Sequence, residues 1–357
     1  MKTAIIGLPM TGKSSLFTIL TGVHEAARMG GMEVRIGVTK VPDARLTALA
    51  GIFNPPKITQ ATVEYLDTPS ISKESLRDTG ILASLRVADA FAHVLRVFES
   101  DTVPHEKGSV DPVRDADDLD VELIVSDLVV VEKRMERVEK DRKKARSAEL
   151  DREMELLERC KAALEDNRPL RTLEISAEEE KIIRGFQFLS QKPMLYVLNI
   201  GEGDASRLHQ VEEEYRTGKL AGRTGTGVAA ICGQIEAELL ELSPADAKEM
   251  METYGLTESG LERLIARTYD LLGLMSFLTA GDTEVRAWTI PKNCTAQKAA
   301  GAIHSDFEKK FIRAEAVNWK ALVEHNGYAG LRGTPLLRLE GKEYIVKDGD
   351  VLVIRHS

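Results

Sequence analysis

The sequence predicts an α/β fold, a mostly parallel sheet flanked by helices, with an inserted helical hairpin and a small C-terminal α+β module. Three observations carry that prediction. Short apolar runs alternate with helical patterns through the N-terminal third. A glycine-rich turn, Gly7-Leu8-Pro9-Met10-Thr11-Gly12-Lys13-Ser14, leaves the first apolar run and opens the first helix. The stretch from Asp117 to about Glu165 holds neither Pro nor Gly and repeats apolar residues at helical spacing.

In chain order, Lys2–Gly7, Glu33–Thr39, Ala61–Asp67 and Ala90–Phe98 are short, apolar or β-branched runs that predict strands. Ser14–Thr21, Asp43–Ile52 and Thr79–Val87 predict helices beside them, a rhythm that implies parallel pairing. Ile124, Leu128, Val131, Met135 and Val138 then recur every three or four residues, as do Leu150, Met154, Leu157 and Leu164. Two long helices breaking near Ala145–Glu149 would bury one stripe between them, either as a self-packed coiled-coil hairpin or as an arm that binds a partner. Pro193–Asn199 and Val228–Cys232 resume the sheet, and Ile235–Leu242, Ala245–Tyr254 and Gly260–Leu272 predict helices. The last module predicts a strand at Glu284–Ile290, a helix at Ala296–Phe307, and hairpin-like strands around Leu336–Leu339, Glu343–Val346 and Val351–Arg355, with a turn at Lys347-Asp348-Gly349-Asp350. The expected domains are residues 1–116 with 190–278, the insertion 117–189, and the module 279–357.

The 357 residues carry 48 Lys and Arg against 57 Asp and Glu, a formal charge of −9, with 43% hydrophobic and 29% charged residues. That composition fits a folded chain and excludes a disordered one. The acidic balance argues against a purely electrostatic nucleic-acid binder. No apolar run approaches the roughly 18 residues of a membrane span, and the N-terminus runs into Gly-Lys-Ser instead of a small-residue cleavage site. Cys160, Cys232 and Cys294 are odd in number and widely spaced, forming neither a disulfide framework nor a metal cluster. A reducing cytoplasm is the expected setting, with no membrane partner.

Gly7 to Ser14 fits G-x-x-x-x-G-K-[ST] at every fixed position. The glycines let backbone N–H groups curl around phosphate oxygens, and the helix N-terminus adds its positive end. In that reading Leu8, Pro9, Met10 and Thr11 line the cradle, Lys13 reaches the β- and γ-phosphates, Ser14 ligates Mg²⁺, and Ser15 continues the cradle. A second metal element should be an acid at the end of an apolar strand. Asp67 qualifies, holding Mg²⁺ through a water, whereas Asp89 precedes its strand.

The motif order resembles the Obg-like ATPase (YchF) subfamily of translation-factor-related P-loop proteins over nearly the whole chain. The resemblance rests on GLPMTGKSSLF, VPDARLTALA, DPVRDADDLDVELIVSDLVVVEKR, the N-x-x-E at Asn199–Glu202, and FLTAGDTEVRAWTI, TAQKAAGAIHSDFEKKFIRAE and KDGDVLVIR, which are similar to the TGS module closing those proteins. It implies ATP over GTP. Related GTPases use N-K-x-D, whose Asp accepts two guanine N–H groups, while adenine offers one acceptor and one amino donor that a side-chain amide can match. Here Ile200 replaces Lys and Glu202 stands for Asp. Asn199 is the expected base contact, with the Ile200 backbone and the Cys232 loop nearby.

The chain departs from the family pattern at its switches. D-x-x-G becomes Asp67-Thr68-Pro69-Ser70, and alignment places Gly31, without a hydroxyl, where a Thr would meet Mg²⁺. Ile71 keeps to the resemblance, which implies an apolar residue in place of a water-orienting Gln. The resemblance makes His105 the candidate for positioning the attacking water. Two readings follow, a slow ATPase acting as a nucleotide-dependent switch linked to translation or stress, or a nucleotide binder with little hydrolysis. A GTPase is a further alternative, and a metabolic P-loop kinase and a pure RNA or ribosome interaction protein stand behind these. The resemblance links the TGS-like module and the insertion to ribosome or RNA contact, where Lys309, Lys310, Arg313, Lys320, Arg332 and Arg338 could face phosphates.

Overall fold

Eight apolar positions on two antiparallel helices explain the most extended feature of the molecule. In the computed structural model, which describes residues 1–23, 34–72, 74–145 and 147–357, helix Pro112–Lys144 turns back into helix Ala148–Glu165. The first starts where Asp111 accepts hydrogen bonds from the N–H groups of Val113 and Arg114, with Pro112 preset for the first turn. The second starts where Ser147 caps Leu150. Ile124, Val131, Val138, Met154, Leu156, Leu157, Cys160 and Leu164 share one core with Leu170, Ile183 and Phe188. The insertion therefore packs on itself, as the spacing predicts, and the polar faces meet through ion pairs such as Arg134–Glu153 at 2.7 Å. Val121, Val125 and Val129 lie on an outer face and stay partly exposed.

The chain divides into two units. The first holds Met1–Thr39 and Glu64–Leu271, the second Lys40–Val63 and Leu272–Ser357. The first unit is built on β1 (Lys2–Ile6), β2 (Arg35–Lys40), β4 (Thr62–Asp67), β5 (Ala90–Arg96), β6 (Met194–Asn199) and β7 (Thr226–Ile231), in the order β2-β4-β1-β5-β6-β7. The pairs from β4 through β7 are all parallel. Tyr65, Phe91, Val94, Tyr196 and Val197 are fully buried, which is why these strands read as continuous apolar runs instead of alternating ones. The parallel sheet sets the carboxyl ends of β1, β4, β5 and β6 side by side, where open α/β sheets bind ligands.

Residues 40–63 correct the expected domain boundary. Their place between two strands of the phosphate-binding sheet predicts that they belong with that sheet. Instead helix Ala44–Phe53 buries Leu46 and Leu49 against Leu278, Val285, Val317, Leu322 and Val351 of the second unit, and the short β3 (Ile58–Thr59) pairs there in parallel with β9. The other strands of the second unit are β8 (Leu274–Ala280), β9 (Val285–Pro291), β10 (Phe311–Asn318), β11 (Arg338–Glu340) and β12 (Asp350–His356), in the order β11-β10-β12-β8-β9-β3. The unit thus begins before Thr279, because β8 pairs with β9 along its length. The sequence pattern missed β8 and β10, whose buried and exposed residues do not alternate cleanly. Ala296–Phe307 is two helices, Ala296–Ile303 and Ser305–Lys309, split at the extended His304, which caps the second. Glu343–Val346 is no strand: Ile345 makes one isolated bridge to Thr295, and β12 pairs with β10 and β8 instead. The predicted turn does form, with Gly349 at positive φ and the Asp350 N–H bonded to the Lys347 carbonyl at 3.0 Å.

Among the described residues no helix is long and apolar enough to cross a membrane. Leu157 is fully buried between the two hairpin helices, so Leu157→Ala is expected to cost about 2–5 kcal/mol. Urea unfolding checks this, and a loss below about 1 kcal/mol would show that the hairpin is not held by this stripe.

Candidate nucleotide-binding site

The loop after β1 takes the shape its glycines permit. Gly7 has φ +144°, Met10 φ +60° and Gly12 φ +96°. A Cβ on Gly7 would lie 2.7 Å from the Val94 carbonyl oxygen, and one on Gly12 would lie 2.5 Å from Asn199 Nδ2. Both glycines are thus required by conformation and by space. Helix Lys13–Thr21 begins immediately after, and its N-cap, Gly12, has no side chain to cap the first turn. The first-turn N–H groups thus lack a side-chain cap, and a glycine-rich loop running into a helix N-terminus is an arrangement that accepts anions. Thr11 Oγ1 donates to the Leu8 carbonyl at 3.0 Å and closes the turn from inside.

Lys13 is buried and donates to the Leu8 carbonyl at 2.6 Å and to Ser70 Oγ at 3.0 Å. Ser70, which replaces a glycine of the family pattern, thus brings the Asp67–Ser70 segment to the lysine. Asp67 ends β4, and the register sets it beside Ile5 of β1, two residues before the loop. Ser14 Oγ lies 3.4 Å from Asp67 Oδ2. A hydroxyl and a carboxylate converge here, the hard oxygen donors that suit Mg²⁺, and the second carboxylate oxygen, Oδ1, is buried without a hydrogen-bond partner among the described residues. Asp89 is excluded from this corner: its carboxylate accepts the Lys2 N–H at the other end of the sheet's strands.

Asn199 ends β6 and spans the loop and the far side of the site. Its Nδ2 donates to the Thr11 carbonyl at 3.0 Å, and its Oδ1 accepts the Gly233 N–H at 3.1 Å. Nδ2 has a second hydrogen for a ligand. Ile200 is buried, its N–H bonded to the Ile231 carbonyl at 2.8 Å. Cys232 is buried at the N-cap of helix Gly233–Leu239, and burial pushes its thiol up in pKa. Glu202 is exposed but engaged: Oε1 accepts from Tyr254 Oη at 2.6 Å and Oε2 from Gln234 Nε2 at 3.1 Å. The structure therefore joins Gly7–Ser14, Asp67, Asn199 and the Cys232–Gly233 turn, with Ser15 exposed on the first helical turn.

His105 does not present a free nitrogen. Its Nδ1 accepts the Lys107 N–H at 3.1 Å, and its Nε2 donates to Asp115 Oδ2 at 3.0 Å, with the ring nearly buried. Gly31 lies outside the described residues. Three residues that the sequence did not single out shape the site. Arg96, fully buried at the end of β5, donates to the carbonyls of Phe98, Val103 and Pro104 and so folds the loop that leads to His105. Arg35 on β2 donates to Asp67. His93 on β5 underlies Gly7, its Cδ2 being 3.4 Å from a Cβ placed there. The only sequence signal for them is a polar side chain inside a predicted strand, Arg35 in β2 and His93 and Arg96 in β5, which signals a tertiary partner without naming it.

Both His93 nitrogens are buried without a hydrogen-bond partner among the described residues, and the ring lies 5.9 Å from that of Tyr196. Burial, with Lys13, Arg171 and Arg223 nearby, pulls its pKa down to about 3 from 6.5. The unfolded chain then takes up the proton first. Stability is full above about pH 6.5 and falls as pH drops toward about 3, by about 1.4 kcal/mol per unit of pKa separation. His93→Phe is expected to flatten that acid slope in urea unfolding at stepped pH, and parallel curves for the two proteins would remove His93 as its source.

Comparison with known proteins places the whole chain. The family YchF-GTPase_C, described as a protein of unknown function (DUF933), matches residues 274–357. The chain is similar to the ribosome-binding ATPase YchF of Bacillus subtilis, at 38% identity over 100% of this chain and 99% of that protein. It is similar at 40% identity to the ribosome-binding ATPase YchF of Escherichia coli O157:H7, over 98% of each. A solved structure titled as the Schizosaccharomyces pombe YchF GTPase superimposes with a TM-score of 0.83 at 27% identity, covering 99% of this chain and 97% of that one.

Proposed function

The chain belongs to the YchF family, and on that premise we propose that it binds ATP with Mg²⁺ at the Gly7–Ser14 loop, hydrolyses it slowly, and acts as a nucleotide-dependent switch at the ribosome. The observation that carries the proposal is the Asn199 side chain, which fastens the loop through Thr11 and the Cys232–Gly233 turn at once. A phosphate cradle and a base-side amide are thereby held at fixed separation. Lys13 would move from the Leu8 carbonyl to phosphate oxygens. Ser14 and Asp67 would hold Mg²⁺, which when bound neutralises charge on the phosphates.

The choice of ATP is supported by Glu202. A guanine would need both carboxylate oxygens as acceptors, and each would have to share or give up the bond it accepts from Tyr254 or Gln234. Slow turnover is supported by His105, whose nitrogens are engaged by Lys107 and Asp115, so that positioning a water requires its loop to rearrange first. Mg²⁺ and a cytoplasmic setting belong to the same proposal. Ribosome contact is supported by the printed names of the bacterial relatives and by exposed Lys309, Lys310, Arg313, Lys320 and Arg332. Arg338 drops out of that patch, since it is half-buried against Tyr344 and Asp350.

Calorimetry with ATP and GTP side by side is expected to show tighter ATP binding that Lys13→Ala abolishes, with phosphate release well below the roughly 1–100 s⁻¹ of kinases. Tighter GTP binding would overturn the base assignment. His105→Ala is expected to lower phosphate release while ATP affinity holds, and unchanged release would remove His105 from catalysis. Sedimentation with ribosomes at two salt concentrations is expected to show pelleting that weakens as salt rises. No pelleting at either salt would remove the ribosome from the proposal.

A further inference from the structure

The carboxylate proposed to serve Mg²⁺ already has a cation of its own. Arg35 donates through Nε to Asp67 Oδ2 at 3.1 Å and through Nη2 to the same oxygen. Its guanidinium lies 4.8 Å over the ring of the fully buried Phe17, so the first helix fixes its direction. The Asp67 side chain is 4% exposed and that of Arg35 22%. Ser14 approaches the same Oδ2. Asp67 Oδ1 and Arg35 Nη1 are both buried without hydrogen-bond partners among the described residues.

Two physical constraints follow. A carboxylate this buried costs several kcal/mol unless a cation compensates it, and the guanidinium supplies that compensation. A divalent cation at Oδ2 would meet the guanidinium at close range in a low dielectric, where like charges repel strongly. The two cations therefore exclude each other at this oxygen. We propose that Arg35 is a positioning residue that competes with Mg²⁺ for Asp67, so that loading ATP as its Mg²⁺ complex requires the Arg35–Asp67 pair to open. The magnesium requirement of this protein is then set by an arginine on β2 as well as by the ligands themselves. This rests on the reading that Mg²⁺ and ATP share the Gly7–Ser14 site.

The test is calorimetric titration of ATP at stepped Mg²⁺, from full chelation by EDTA to saturation, for the wild type, Arg35→Gln and Arg35→Lys. Arg35→Gln is expected to lower the half-saturating Mg²⁺ on the order of tenfold, the ratio that corresponds to about 1.4 kcal/mol. Arg35→Lys keeps a charge without the two-pronged contact, and its midpoint should fall about threefold. ATP affinity in EDTA should stay within about twofold across the three, which separates competition at Asp67 from general damage to the pocket. If Arg35→Gln does not fold, the lysine variant carries the test. An unchanged or raised midpoint in the folded variants, with ATP still bound, overturns the role of Arg35 and leaves the ATP reading intact. Absence of ATP binding by the wild type at every Mg²⁺ concentration overturns both.

Discussion

One side-chain amide holds the candidate site together. Asn199 is the last residue of β6, and its two polar atoms reach in opposite directions, to the Thr11 carbonyl and to the Gly233 N–H. Within the loop after β1, Thr11 and Lys13 both donate to the Leu8 carbonyl, and two of its residues are glycines in conformations that other residues resist. A buried amide that left either atom unpaired would cost about 1–3 kcal/mol. The loop and the turn after β7 are thereby held to one another across the sheet. Gly12 lacks a Cβ partly for this reason, because the space beside it belongs to Asn199 Nδ2.

Around this fixed frame the charged groups are satisfied from within the protein. Lys13 rests on the Leu8 carbonyl and the Ser70 hydroxyl, and Asp67 on the Arg35 guanidinium. Glu202 and His105 are similarly engaged by neighbours. Such pairing lets strongly hydrated groups sit in a partly buried cleft without a large desolvation cost. It also means that a ligand gains only the difference between its own contacts and those it replaces. The altered switch residue Ser70 contributes here in a way that a glycine could not, because its hydroxyl is one of the partners that Lys13 uses.

The sheet and the loop were legible in the sequence because their signals are local. A glycine pattern, an apolar strand before it and a helix after it lie within about twenty residues, the scale of one strand–turn–helix motif. The hairpin was legible because its stripe repeats at one period and is interrupted once, near Ala145. What escaped was tertiary. Nothing in Leu46 and Leu49 says which sheet covers them, and their partners Val317 and Val351 are far along the chain. Arg35, His93 and Arg96 are polar residues inside strands, and their sequence positions name no partner, yet each bears on the loop or the segments beside it. His105 fitted its resemblance-based role in sequence, whereas its hydrogen bonds to Lys107 and Asp115 depend on how the following helix begins.

The excursion of residues 40–63 into the second unit has a covalent corollary. The chain leaves the first unit along β2, which begins at Arg35, and returns along β4, which ends at Asp67. The backbone passes between the two units at Thr39–Lys40, at Val63–Glu64 and again at Leu271–Leu272. A fragment cut near Leu271 would keep residues 40–63 but lose Leu278, Val285, Val317, Leu322 and Val351, and so strip Leu46 and Leu49 of their cover.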